Sequence, residues 1–159
     1  MNSPSLTLDL QISESLSESD DHPPPENFHF WVRLAIGEKL SSAELTIRLA
    51  DEAEITKLNH SYRNKNQATN ILSFSASLPE YIDIPLLGDI VICPAIVKKE
   101  SIEQQKTADA HWAHLVIHGT LHLLGYDHIE ESEAEKMESL EIQLLSTLGI
   151  RNPYEEKHY

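Results

Sequence analysis

The sequence predicts a single α+β domain in which a small mixed sheet of about four strands packs with about five helices. Three observations lead to this fold class. The 159 residues are enough for one domain with a real core and too few for two comfortable ones. Apolar runs typical of strands dominate the first part of the chain. Helical spacing dominates the last part, which is the arrangement of an α+β protein.

Strands and helices alternate in the first part of the chain. Apolar residues at every second position of residues 6–12 predict a strand with one buried face. Residues 13–25 are rich in serine and acids and end in three prolines, so we expect a mobile connection that does not pack. A helix is predicted over residues 28–40, a second strand over 43–50 and a second helix over 51–63.

Particular residues mark the boundaries of the next elements. Asp51 stands three residues before Glu54, which is the form of a capping box at the start of the second helix. Residues 69–75 and 86–93 are short runs rich in β-branched and aromatic residues, so they predict the third and fourth strands. A segment that contains prolines joins these two strands.

From Pro94 onward the chain is predicted to be helical. Pro94 fits the first turn of a helix, because its missing N–H is not needed there. Another helix should cover residues 108–124 and end where Gly125 takes a left-handed conformation. A last helix should run over residues 130–148 and stop at Gly149.

The charge of the chain is strongly acidic and unevenly distributed. The net charge is −14, with −6 in residues 1–32, −2 in residues 33–126 and −6 in residues 127–159. This negative charge argues against general electrostatic binding of nucleic acid. Residues 55–79 contain no acid and three bases, Lys57, Arg63 and Lys65. This stretch is either a local positive patch or a chance gap in the acids of a solvated loop.

The sequence contains no feature of a membrane or secreted protein. No apolar run approaches the roughly 18 residues of a membrane span, and the N-terminus resembles neither a signal nor a transit peptide. We therefore expect a cytoplasmic protein. The single cysteine, Cys93, lies in an apolar run and predicts a buried, inert thiol in a reducing compartment.

Five of the nine histidines lie between residues 111 and 128. Four of them fall within roughly 80° of one another on a helical wheel: His111, His114, His118 and His122. His118 and His122 are one turn apart, so both rings can bind one ion. Gly125 then breaks the helix and His128 completes the pattern H-x-x-x-H-x-x-G-x-x-H. This is the spacing of the metzincin metal site.

Two other interpretations of these histidines are weaker. They could be core residues with satisfied hydrogen bonds, although this spacing of three histidines is not expected by chance. They could hold a structural zinc, but such sites usually have four ligands, often cysteines, and no fourth ligand is evident. Three histidines with an open position indicate a catalytic zinc, which lowers the pKa of its bound water to about 7 and favours hydrolysis.

Residue 119 argues against peptide hydrolysis. Metalloproteases carry a glutamate directly after the first ligand as general base, and here that position is Gly119. Without this glutamate, the rate of peptide cleavage loses a contribution of ~10²–10⁴-fold from general acid–base catalysis. Phosphodiester cleavage depends instead on stabilising negative charge, which a metal and an arginine supply. Arg63, in the stretch without acids, is the candidate arginine.

The segments HGTLHLLGYDH, AHWAHLVIHG, LGDIVIC and TNILSF resemble the YbeY family of bacterial zinc-dependent endoribonucleases. The resemblance covers residues 45–154, and the signature H-G-x-L-H-L-x-G-Y-D-H is matched at every specified position. It implies one zinc per chain, held by His118, His122 and His128, with Arg63 as the catalytic arginine that contacts the phosphate. It also implies cleavage of single-stranded RNA in 3′-end maturation of 16S ribosomal RNA and in ribosome quality control.

Four other residues have open roles. Members of the family usually have proline at the positions of Ala68 and Ser75, and both losses should loosen the backbone near the RNA groove. His114 could line the cleft, support a metal ligand or form a hydrogen bond in the core. Asp127 could orient a ligand ring or the metal-bound water, or cap the next helix.

Three functions are compatible with the metal motif. The first is a single-strand-specific endoribonuclease. The second is a zinc peptidase that borrows a base such as Asp127, and the third is a non-catalytic ribosome-assembly factor with a structural zinc. Because the chain is so acidic, we expect recruitment to ribosomal RNA through small-subunit ribosomal proteins or an Era-type GTPase. We expect no DNA and no membrane as partners.

Overall fold

A four-stranded mixed sheet organises the protein. The computed structural model describes residues 5–17, 20–76, 85–126 and 131–154. The strands are β1 (Ser5–Ile12), β2 (Ser42–Leu49), β3 (Ile71–Ser75) and β4 (Leu86–Ile92). Their spatial order is β1-β2-β4-β3, with β2 parallel to β1 and β4, and β3 antiparallel to β4. Strand β3 therefore lies at one edge of the described sheet.

Five helices cover the two faces of this sheet. They are α1 (Pro25–Ile36), α2 (Glu52–Arg63), α3 (Pro94–Glu103), α4 (Ala108–Leu123) and α5 (Glu131–Thr147). Apolar side chains of α1, α4 and α5 form the main core against β2 and β4. Alternation along β4 sends Val91 to a smaller core on the opposite face, where it meets Ile55 of α2. The predicted α+β fold class is confirmed.

The start of α2 shows half of the predicted capping box. The Asp51 carboxylate accepts a hydrogen bond from the backbone N–H of Glu54 at 2.8 Å, so Asp51 is the N-cap. The carboxylate of Glu54 does not complete the box but pairs with Arg48 of β2, at 2.5 Å from Nε to Oε2. This pair connects the helix to the sheet.

Glycines end three helices, and one of these helices is shorter than its apolar spacing predicts. Helix α1 stops at Ile36 and not near Leu40, because Gly37 adopts a φ of 57° that an α-helix cannot continue through. The predicted ends of α4 and α5 are confirmed, since Gly125 has a φ of 107° and Gly149 a φ of 75°.

The N-terminal strand and the segment after it differ from expectation. Ile12 is 47% exposed, so the predicted alternation of buried residues fails at the end of the edge strand β1. Residues 13–25 pack in part, because Leu16 contacts the main core and Ser13 is buried. Pro23 is buried as well, so the expectation that this segment does not pack is wrong for these three residues. Its mobility and the single-domain assignment stay predictions.

Two further observations concern the thiol and the helices. Cys93 is fully buried, as predicted, and burial raises the pKa of its thiol. Within the described ranges, no helix is both long and apolar enough to cross a membrane.

Candidate metal centre

Helix α4 is buried on almost every side, and its one accessible stripe consists of histidines. Between residues 111 and 123, every residue is buried except His114, His118 and His122. Three of the four histidines that the helical wheel groups together therefore line an opening on an otherwise enclosed helix. The fourth, His111, is only 3% exposed and belongs to the interior.

Gly119 is the point where α4 approaches the sheet. A Cβ at this position would lie 2.9 Å from Cδ1 of Ile71 and 3.2 Å from both Cδ1 of Ile90 and Oγ of Ser73. These distances are at or inside the limit of normal packing, so a larger side chain cannot enter without displacing its neighbours. The position after His118 thus faces β3 and β4, and it lacks room for a catalytic glutamate.

A buried carboxylate on α5 fixes the orientation of His118. Nδ1 of His118 lies 2.6 Å from Oε1 of Glu141, whose side chain is completely buried. The hydroxyl of Tyr154 donates to Oε2 of the same carboxylate at 2.6 Å. Burial and the adjacent Glu141 raise the pKa of Tyr154 well above its usual range, so the hydroxyl keeps its proton and stays a donor.

Glu141 is ionised despite its burial. Burial alone would raise the pKa of this carboxyl group, but interactions with His114, His118 and Tyr154 outweigh that effect and lower the pKa to about 2. An ionised Glu141 requires a proton on Nδ1 of His118, so a metal bound by His118 would be bound through Nε2.

His114 lies beside the same carboxylate. Its Nε2 is 3.6 Å from Oε1 of Glu141 and 3.3 Å from the hydroxyl of Tyr154. His114 also lines a cleft of about 1010 Å³ between the α3–α4 turn and residues 149–153. Of the roles left open by the sequence, the structure shows a contact with the carboxylate that holds a candidate ligand. Neither His118 nor His122 lines the cleft, so a role of His114 at the metal cleft stays a prediction.

His114, His118 and Glu141 have donor atoms within 4.8 Å of one another, so this group could hold a metal ion. One distance in it is short for that purpose. Two ligands of a tetrahedral zinc are roughly 3.4 Å apart, given zinc–ligand distances of about 2.0–2.2 Å. The 2.6 Å between His118 and Glu141 is instead typical of a charge-assisted hydrogen bond. Glu141 therefore fits the role of a carboxylate behind a histidine ligand better than that of a ligand.

Of the other two predicted ligands, only His122 lies among the described residues. His122 lies one turn after His118, and the two rings stand edge to face with centroids 6.4 Å apart. His128 and Asp127 lie in residues 127–130, outside the described residues, so their predicted roles stay predictions.

His111 belongs to a separate buried contact. Its Nε2 lies 2.8 Å from Oε1 of Glu100 on α3, and the same oxygen accepts a hydrogen bond from the side-chain amide of Asn70. Burial lowers the pKa of His111, although Glu100 opposes this shift. His111 therefore connects α4 to α3 and to the residue before β3, and its ring centroid lies 6.4 Å from that of His114 at the start of the histidine stripe.

Arg63 ends α2 and reaches the outer edge of β3. Its guanidinium donates from Nη2 to the backbone oxygen of Ser73 at 2.9 Å. Ser73 is also the residue whose side chain packs beneath Gly119. The same residue of β3 thus contacts both Arg63 and the turn of α4 that carries His118.

Ala68 and Ser75, which stand where the resemblance leads one to expect proline, lie on either side of this contact. Ala68 packs against the smaller core. Ser75 is the last residue of β3 and pairs with Gly88 of β4. Whether the backbone is looser at these positions stays a prediction.

Comparisons with known proteins agree with this architecture. A solution structure of TM1509 from Thermotoga maritima superimposes with a TM-score of 0.56 at 22% sequence identity, over 94% of this chain and 100% of that one. At this identity the likeness shows the fold alone. The profile of a protein family described as endoribonuclease YbeY matches residues 19–149, which is most of the chain and includes the histidine stripe. The chain therefore belongs to the YbeY endoribonuclease family.

Proposed function

We propose that the protein is a metal-dependent endoribonuclease that cuts single-stranded RNA. Its substrate would be ribosomal RNA of the small subunit, during maturation of the 3′ end and in quality control. One observation carries the proposal: in a member of an endoribonuclease family, the only accessible stripe on helix α4 between residues 111 and 123 is made of histidines. Such a stripe is costly to place on a central helix unless the rings bind something.

The ligands in this proposal are His118, His122 and His128, which would hold one zinc ion. The donor set fits, because histidine ligands of zinc commonly donate their second ring N–H to a carboxylate, as His118 does to Glu141. The ring centroids of His118 and His122 are 6.4 Å apart, so small rotations bring both rings to one ion. Zinc at this place would supply Lewis-acid activation of water and of a phosphoryl oxygen.

Arg63 would hold the phosphate that is cleaved and stabilise the additional negative charge of the transition state. Its guanidinium is exposed, and the carbonyl of Ser73 fixes it by using one of its five N–H donors. An arginine held in this way can present two further donors to one phosphate group.

The net charge of −14 bears on how the enzyme reaches its substrate. Such a protein binds free RNA weakly at physiological salt, because its overall field repels phosphate. We therefore propose recruitment in the cytoplasm through small-subunit ribosomal proteins or an Era-type GTPase.

The direct test compares two substrates. The purified protein is incubated with single-stranded ribosomal RNA and with casein, each with and without a chelator. We expect cleavage of RNA only, and its loss on chelation. Cleavage of casein alone would support the peptidase alternative. Binding to ribosomal subunits without cleavage of either substrate would support the assembly factor, and both results contradict the proposal.

Two variants test the assigned residues. Arg63→Glu should reduce RNA cleavage by at least ~10²-fold and leave the zinc content unchanged, whereas the same charge change at the exposed Arg33 of α1 should have little effect. His118→Ala should lose zinc, as measured by atomic absorption on the folded protein. Full zinc occupancy in this variant would refute the ligand assignment.

A further inference from the structure

Two aromatic rings lie beside Arg63 at the edge of the sheet. Tyr62, the preceding residue on α2, is 65% exposed and is among the most exposed large apolar or aromatic residues of the described chain. Its ring meets Phe74 of β3 edge to face, with centroids 5.2 Å apart and an interplanar angle of 63°. Phe74 packs against the smaller core and supports Tyr62 from behind. One ring is thus anchored, and the other is open to solvent.

Arg63 is fixed next to these rings. Its Cζ lies 5.5 Å from the centroid of Phe74, in the range of a cation–π contact. The backbone oxygen of Asn70 accepts from Cys93, directly after β4, and the N–H of Ala76 donates to Leu87 of β4. The two-residue period of a strand therefore points the backbone oxygen of Ser73 outward, where Arg63 binds it. The cation and the aromatic pair therefore share the outer edge of β3, within the span of one nucleotide.

The charge around this edge favours an anionic partner. Residues 55–79 contain Lys57, Arg63 and Lys65 and no acid, although the protein carries −14 in total. The pairing of β3 with β4 adds one exposed acid, Asp89, opposite Phe74. A cation next to an exposed aromatic ring in such a stretch complements a phosphate and the base attached to it. An exposed guanidinium of this kind is less suited to a neutral apolar partner, for which the charge would have to be desolvated.

The edge strand also joins this patch to the histidine stripe. Along β3, the side chains of Ile71 and Ser73 face Gly119 of α4, whereas Leu72 and Phe74 belong to the smaller core on the other face. Arg63 lies at the edge between the two faces. A flexible nucleic-acid chain that crosses this edge can contact the aromatic pair on one face of the sheet and α4 on the other.

We propose that Tyr62, supported by Phe74, forms a stacking subsite for one unpaired base of an RNA strand, next to the phosphate that Arg63 contacts. This inference rests on the proposed function, and it specifies why the substrate is single-stranded: a base in a duplex is already stacked and cannot lie on the ring. Stacking of a base on an aromatic side chain does not depend on sequence. The subsite therefore selects unpaired RNA and not a particular nucleotide.

Binding is measured with the full chain and a chelator present, so that no cleavage occurs. The probes are a fluorescent single-stranded RNA oligonucleotide and the same sequence in a duplex. Tyr62→Ala should weaken binding of the single strand by roughly 5–150-fold, the range for loss of one base–aromatic stack. Tyr62→Phe keeps the ring and should stay within about twofold of the wild type. Neither variant should change binding of the duplex.

The salt dependence separates stacking from charge. Tyr62→Ala should leave the slope of log K against log salt unchanged, because no phosphate contact is lost. Arg63→Gln should reduce that slope by about 0.7, the value for one phosphate on a single strand. A changed slope in Tyr62→Ala, or equal losses in Tyr62→Ala and Tyr62→Phe, would contradict a stacking role.

The remaining outcomes distinguish this inference from the proposed function. If the wild type neither binds nor cuts single-stranded RNA, the proposed function fails. If the wild type cuts RNA and Tyr62→Ala binds it equally well, only the stacking subsite fails. If Tyr62→Ala binds RNA normally but no longer associates with small ribosomal subunits, the ring contacts a protein and the inference is also wrong. Because Tyr62 is exposed, these variants should fold, and thermal unfolding checks this.

Discussion

The two faces of the sheet hold their polar side chains in different ways. On the α4 face, Glu141 and His111 are almost fully buried and tied to defined partners. On the α2 side, Arg63 and Tyr62 are exposed at the edge of β3. Buried partners fix the geometry that a metal ligand needs, whereas exposed groups are free to contact a flexible substrate. Substitutions on the α4 face should therefore affect stability and metal binding, and those on the α2 side should affect RNA binding.

The largest difference between the two faces is expected for a new glutamate. Gly119→Glu places a carboxylate against Ile71, Ile90 and Ser73 and should lower the free energy of unfolding by roughly 4 kcal/mol or more. Ser61→Glu, on the exposed surface of α2, should change it by no more than about 0.5 kcal/mol. Urea unfolding of both variants measures this contrast.

A stable Gly119→Glu variant would contradict the packing argument at this position. If that variant cleaved casein and the wild type did not, the glutamate alone would separate the two activities, and the fold would accept peptidase chemistry. Gly119→Ala is the milder variant: its Cβ meets only side-chain ends, and better helix propensity offsets part of the strain.

The candidate site shows how far the sequence alone leads. Spacing identifies the histidine stripe, because helical periodicity depends only on residue positions. It does not reveal that Glu141 holds His118, since the two are 23 residues apart and α5 contains several other acids. A signal did exist: Glu141 lies one turn from Met137 and from Leu145, so it is an acid on the buried stripe of an amphipathic helix.

The fold was predictable to a similar degree. Strands and helices follow from local apolar patterns, and glycines mark helix ends, as Gly125 and Gly149 do. The early end of α1 at Gly37 needs knowledge of its backbone angle, and the packing of Leu16 depends on contacts far along the chain. Strand order is likewise set by long-range packing, which no local pattern encodes.

The next effect in size concerns metal affinity on the α4 face. Glu141→Gln removes the charge that holds the Nδ1 proton of His118 and should weaken zinc binding about 10–100-fold. Glu135→Gln, an exposed position of the same helix, is the matched control and should bind zinc like the wild type. Competition with a chromophoric chelator gives both affinities.

The same titration separates the two possible ligand groups. If His118, His122 and His128 hold the metal, His122→Ala should lose much more affinity than His114→Ala. If His114, His118 and Glu141 hold it, the order should be reversed, with His122→Ala close to the wild type. The second result would overturn the assignment of Glu141 as a support for a ligand.

The smallest expected effect is a pH dependence of the free energy of unfolding, which only a histidine on the α4 face should cause. Burial lowers the pKa of His111, and its Nδ1 has no hydrogen-bond partner among the described residues, so protonation would bury an unsatisfied N–H. The groups that face this ring are Glu100, which favours its charged form, and Lys106 and His114, which oppose it.

The sign of this dependence follows from proton binding. Below a pH of about 6.5 the unfolded chain protonates His111 more readily than the folded protein does, so the stability due to this residue is complete above that pH and declines as the pH falls. His111→Gln should lose less stability than the wild type between pH 7.5 and pH 5.5, as measured by urea unfolding. The exposed His60→Gln on α2 should follow the wild type. If the free energy of unfolding of His111→Gln and of His60→Gln changed equally with pH, burial on the α4 face would not hinder protonation of His111.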